Sequence, residues 1–143
     1  MISTTFANKI LNVLVGSSTS VSAATSVYFG MCANEPSASG TVSGEPTGAS
    51  YRRKVVGGNN TSKLFGAASG GIVTNTTEVQ SYTAREAWGT VNYWFLSDTA
   101  TGAANIWGEI YDKNGNKGLN IAAETVPTFY EGELRASIDV PLT

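Results

Sequence analysis

The chain has 143 residues, of which 41% are apolar and only 14% charged, with a net charge of −2 and a pI near 5.0. That length suits one compact β-domain over residues 1–143 and leaves little room for a second. The weak negative charge offers no basic face for neutralising phosphates, which argues against nucleic acid as a partner. There is no apolar run of about 18 residues, and no cationic region followed by a continuous apolar one, so neither a membrane span nor a secretory leader is expected.

Composition also removes much chemistry. With no histidine, the commonest general base, triad partner and metal ligand are all missing. Cys32 is the single cysteine, so neither an intrachain disulfide nor a zinc site of Cys and His is available. The apolar run from Val27 to Met31 before it fits a buried, inert thiol.

Phe6, Ile10, Leu11 and Leu14 fall at helical spacing, with Ser or Thr as N-cap and Gly16 to stop the helix, so residues 1–16 are expected to hold an N-terminal helix. Its apolar face either lids the open end of a sheet or docks on a partner subunit; Phe6 and Ile10 are the contact residues on the second reading. Residues 16–24 read as a Ser/Thr-rich loop and residues 26–33 as a strand. Residues 34–50 are rich in Pro, Gly, Ser and Thr without apolar periodicity. They predict a long exposed loop that is functional or ordered by a neighbour, with Glu35 and Glu45 as candidate contacts.

Beyond Tyr51, short strands at 51–56, 63–65, 72–74, 78–82 and 87–96 are separated by turns at 57–60, 66–71 and 98–102. The glycosylation-like triplets around Asn60 and at Asn75-Thr76-Thr77 read as turn chemistry. Arg52-Arg53-Lys54 is the one basic cluster. In a strand, Arg52 and Lys54 would share a face opposite Arg53, either as a solvated edge that discourages strand pairing or as a salt-bridging patch toward a neighbour. Alternation likewise sets Tyr93 and Phe95 against Trp94 and Leu96. With Trp88 and Trp107 these rings suit a core, while an exposed pair, Trp94 foremost, would offer a platform for a partner or a glycan.

A strand at 105–111 leads into a hairpin at 112–118 around Asn114-Gly115. A calcium loop there is disfavoured, because Ala123 stands where the distal carboxylate would fall. Gly66 to Gly71 lack the Lys-Ser/Thr of a phosphate loop. Leu134, Ala136, Ile138 and Val140 then alternate with Glu133, Arg135, Ser137 and Asp139, as in a half-buried strand. No catalytic residue, cofactor or metal is expected, and the protein is not expected to be an enzyme. The fold class is mainly β, an antiparallel β-sandwich or barrel with one N-terminal α-helix.

Several segments carry a family likeness in their order and spacing. They are Ile10-Leu11-Asn12-Val13-Leu14-Val15-Gly16, Val27-Tyr28-Phe29-Gly30 leading into Glu35-Pro36, Glu45-Pro46-Thr47-Gly48, Tyr51-Arg52-Arg53 and Trp88-Gly89-Thr90-Val91. Pro127, Phe129, Gly132 and Leu134 extend the pattern, and residues 110–125 fit it less closely. Together they resemble small tailed-bacteriophage virion structural proteins, usually labelled tail fibre or minor structural proteins. The resemblance implies a place on the virion after assembly in the host bacterial cytoplasm, with other virion proteins, from the capsid or the tail, as partners. A homo-oligomer is expected, a trimer being one form. The chain's length favours a capsid-decorating cement protein that clamps shell subunits through the 34–48 loop, Phe6, Ile10 and Arg52-Arg53-Lys54. The alternative is a tail fibre or tail-associated protein that binds host surface glycan or protein.

Overall fold

A computed structural model describes residues 1–17, 24–58 and 63–138. The expected turn at 59–60 with the triplets around Asn60, most of the 16–24 loop, and Asp139 and Val140 of the closing strand lie outside the described residues. In chain order the elements are α1 Thr4–Leu14, β1 Ser26–Cys32, β2 Lys54–Gly58, β3 Ile72–Thr74, β4 Val79–Gln80, β5 Gly89–Val91, β6 Tyr93–Ser97, β7 Ile106–Glu109, β8 Leu119–Ile121, β9 Thr128–Phe129 and β10 Arg135–Ser137.

The protein is mainly β and antiparallel, built on a four-stranded sheet in the order β2-β1-β6-β7. The ribbons β3/β10, β4/β9 and β5/β8 accompany it, and the strands do not close into the barrel that the sequence left open. Strands β1 and β6 are apolar along both faces because both faces are covered, which replaces alternation with a continuous apolar run. On one face Phe29, Met31 and Trp94 pack with Trp88, Val91, Ile121, Phe129 and Leu134, largely supplied by the ribbons. On the other, Cys32, Tyr93, Phe95, Ala104 and Trp107 form a second cluster, over which Val42 packs from the long loop.

This double burial places these rings in the core and removes the alternative of an exposed pair led by Trp94. Trp94 is fully buried, stacked on Phe29 at 6.3 Å and on Phe65 at 5.4 Å between ring centroids, and Trp107 is buried as well. Neither is available to a partner in the folded chain. Gly108 is what lets β10 cross β7 at this point. A Cβ there would run into the carbonyl oxygen of Arg135 and the indole nitrogen of Trp94.

Other boundaries differ from the sequence reading for local reasons. The single strand expected at 87–96 breaks at Asn92, whose side-chain Nδ2 donates to the carbonyl of Ala33 at 2.8 Å. The break sends β5 to pair with β8 while β6 stays in the main sheet. Residues 51–53 are irregular, 63–65 contribute only a bridge from Phe65 to Asn75, and the closing alternation ends at Ala136, since Ile138 is exposed. The hairpin at 112–118 forms as expected around Asp112, whose carboxylate accepts from the amides of Asn114 and Asn116, each at 2.8 Å.

Candidate functional site

Three neighbouring features carry what the surface can do. The first is α1. Ser3 caps it by accepting from the Phe6 amide at 3.1 Å, and Gly16, at φ +76°, follows its end. Its root is fixed to the sheet: Ile2 bridges Ile106, and the Ser3 and Trp107 amides donate to Asn105 and Met1 carbonyls, both at 2.8 Å. Beyond the root the helix buries no residue among the described ones: Ile10 is 37% exposed, Leu11 54%, Leu14 74% and Val15 75%. The lid role that the sequence allowed for it is therefore not the one it plays. Phe6 is half-buried near the root and Ile10 faces solvent.

The second feature is the irregular segment 33–53, which does act as a lid. As the sequence reading had it, the segment is irregular and much of it is exposed, but Pro36 and Gly40 are buried and the chain itself orders it. Ala33 donates to Gly44, Ala104 to Gly40 and Thr4 to Ala38, at 2.7 to 2.9 Å. Its clasp is Arg53, 6% exposed. The guanidinium grips Glu45 with two parallel bonds of 2.9 and 2.8 Å, donates to the carbonyls of Thr99 and Gly102, and lies 4.7 Å from the Phe95 ring centre. Arg53 and Glu45, expected as outward contacts, thus serve each other. A lone buried cation needs a fixed counter-charge and filled donors, and the clasp provides both.

Under this lid, burial first and the Glu45 charge second push the Cys32 thiol up to about 12, against the opposing pull of Arg53. Burial also drives the Tyr51 hydroxyl far above its ordinary value; the hydroxyl donates to Glu45 at 2.8 Å. Glu35 lies apart, exposed, accepting from the Trp107 indole at 3.3 Å.

The third feature is a pair of open clefts of about 460 and 570 Å³ that share Arg52 and Tyr82 in their walls. The Arg52 guanidinium sits 3.9 Å, and the Lys54 ammonium 4.7 Å, from the Tyr82 ring centre. Arg52 and Lys54 do converge, as alternation suggested, with Arg53 turned away. Among the described residues no group of three or more His, Cys, Asp or Glu gathers to hold a metal ion, and no helix is long and apolar enough to cross a membrane.

A family model described as Podophage GP4 fiber I protein gp80 matches residues 1–135. The chain belongs to this family. No curated protein matches it. The gp80 match takes in α1, the lid, the clasp and every strand of the main sheet, so all three features lie inside the family region. As a gp80-family protein the chain is a fibre-like structural protein of the tailed-phage virion, and it works in contact with other virion components.

Sequence reasoning missed Tyr82, Arg85, Ser50 and Glu86, which line the smaller cleft of this gp80-family chain. The adjacent Arg85-Glu86 pair was the only signal, and nothing in the spacing joined it to Arg52, about thirty residues earlier in the chain.

Proposed function

We propose that this chain is a repeating structural subunit of the phage fibre and that α1 joins it to the same helix of a neighbouring copy. The observation that carries the reading is a well-capped helix with a fixed root and an uncovered apolar face. Leu11, Leu14 and Val15, with Ile10 beside them, follow the three-four spacing of helix-to-helix packing. Lys9 is the helix's only charged residue, so like helices meet with little repulsion. Each leucine or isoleucine fully covered in such a contact contributes about 1.5–3 kcal/mol. The role is mechanical and calls for no catalysis. Decoration of the capsid exterior would use the same face, but chain length is its only support, whereas the family description favours a fibre.

The test has two arms. Sedimentation of the purified chain should give an oligomer that Ile10→Asp with Leu14→Asp converts to a folded monomer. An antibody fragment against the chain should mark the tail region of intact virions in electron micrographs. Label spread over the icosahedral shell would overturn the fibre reading, and an unchanged oligomer in the double variant would overturn the role of α1.

A further inference from the structure

Arg52, Lys54 and Arg85 differ from Arg53 in one respect: among the described residues their charged groups have no hydrogen bond or ion pair, Arg52 and Lys54 resting only on the Tyr82 ring. Arg53 spends four donors on Glu45, Thr99 and Gly102. The two ion pairs among the described residues are Arg53 with Glu45 and Lys117 with Glu109. Arg52 and Arg85 line the same cleft of about 460 Å³ with Tyr82, and Lys54 approaches that ring too.

Two carboxylates lie nearby and both are engaged. Glu45 belongs to the clasp. Glu86, in the cleft wall, accepts from the Ser50 hydroxyl at 2.7 Å, the Ser50 amide at 2.9 Å and the Trp88 indole at 3.4 Å. The Ser50 hydroxyl bond, followed by its amide, holds that carboxyl below the ordinary range. Glu86 is thus fixed in place and does not quench the arginines by pairing. The cleft combines forked donors for an anion, an aromatic ring beneath the Arg52 and Lys54 cations, and the hydroxyl of Thr83; the Ser50 hydroxyl is already engaged with Glu86, the Arg85 amide and the Trp88 indole.

We propose that this cleft is a binding site for an anionic saccharide, one whose sugar rings carry carboxylate or phosphate. The chemistry fits each half of such a ligand. A guanidinium fork takes a carboxylate or a phosphate through two parallel N–H bonds, and two such forks in one wall hold an anion more tightly than a point charge does. The Tyr82 ring holds the Arg52 and Lys54 cations in the wall, and the Thr83 hydroxyl exchanges hydrogen bonds with the sugar. The openness of the cleft suits a chain-like ligand passing through rather than a small molecule enclosed. A neutral sugar leaves both forks unused, and so does a purely apolar ligand.

The site is independent of α1, which lies outside both cleft walls. Titration calorimetry on the purified full chain, with tetragalacturonate and with a phosphomannan pentasaccharide as separate probes, tests the proposal. At least one probe should bind at low salt, and Arg52→Gln with Arg85→Gln should weaken it about tenfold or more while leaving the thermal transition in place. Removing the ring with Tyr82→Leu should weaken it by a smaller factor. The fully methyl-esterified galacturonate, which keeps the sugar and loses the charge, should not bind. Heat from neither probe, or an affinity unmoved by the double arginine variant, would overturn the site. Penta-glutamate binding as tightly as the saccharides would overturn the sugar class and make the cleft a dock for an acidic protein segment. Inorganic phosphate binding equally well would reduce it to a simple anion site.

Discussion

Segment 33–53 contains no helix or strand and yet is tied down along its length, whereas α1 is a well-capped helix with no buried residue. The loop holds a charged pair on the inner side of the protein, and the helix holds its leucines on the outside. Regular backbone structure and tertiary commitment are separate properties here. A segment is committed when its polar groups find partners and its apolar groups lose water, and only the loop satisfies both conditions within one chain. The helix satisfies its backbone and leaves Leu11, Leu14 and Val15 exposed.

The largest test of this contrast is Arg53→Ala. Removing one member of a buried, hydrogen-bonded ion pair is expected to cost about 3–5 kcal/mol in urea unfolding, because Glu45 keeps its charge and the carbonyls of Thr99 and Gly102 lose a donor. Cys32 supplies a second readout, since the lid covers it: its rate of reaction with a thiol reagent should rise sharply in the variant. Replacing the pair by Arg53→Met with Glu45→Leu should recover part of the loss and not all of it, as the two carbonyls remain unserved. A cost below about 1 kcal/mol for Arg53→Ala would make the clasp an ordinary surface pair and dissolve the contrast.

Next in size is the response to alkali. Cys32 is raised from its ordinary 9.0 to about 12, and Tyr51 is raised above 10.0, chiefly by burial in both cases. Above pH 9 the unfolded thiol gives up its proton while the folded one keeps it, so the unfolded state binds fewer protons and stability falls as pH rises. The contribution is complete below pH 9 and is lost progressively toward 12, with Tyr51 joining above pH 10. The slope approaches about 1.4 kcal/mol per pH unit for each group. Chemical denaturation between pH 8 and pH 11 should show this decline, and Cys32→Ala should flatten its first part. An equal decline in that variant would mean that the thiol is not sheltered by the lid.

How far the sequence discloses this arrangement follows from which physics is local. The helix, its cap and its stop are legible because Ser3, the apolar spacing and Gly16 lie within a few turns of one another. β1, β3 and the hairpin at 112–118 are legible for the same reason. Strands β8 and β9, at 3 and 2 residues, show no period and, unlike Ile72-Val73-Thr74 of β3, are not an unbroken run of β-branched residues. The burial of Trp94 could not be read from alternation, since alternation assumes one wet face and the lid and the ribbons leave none. The clasp joins residues only 8 apart, but its purpose depends on the turn at 99–102, which comes close only in the fold. Tyr82 and Arg52 meet for the same nonlocal reason.

The smallest expected effect on stability is also the one that defines the helix. Ile10→Asp with Leu14→Asp alters side chains that are 37% and 74% exposed, and it removes no intrachain hydrogen bond or buried contact at Leu14. Exposed substitutions of this kind usually change stability by about 0.5 kcal/mol or less, so the unfolding midpoint of dilute chain should stay near that of the parent. Concentrated chain should behave differently: if copies meet through this face, the parent's midpoint rises with protein concentration and the variant's does not. A large loss of stability at high dilution would show that α1 is committed to its own domain after all, and the difference between loop and helix would then be one of degree.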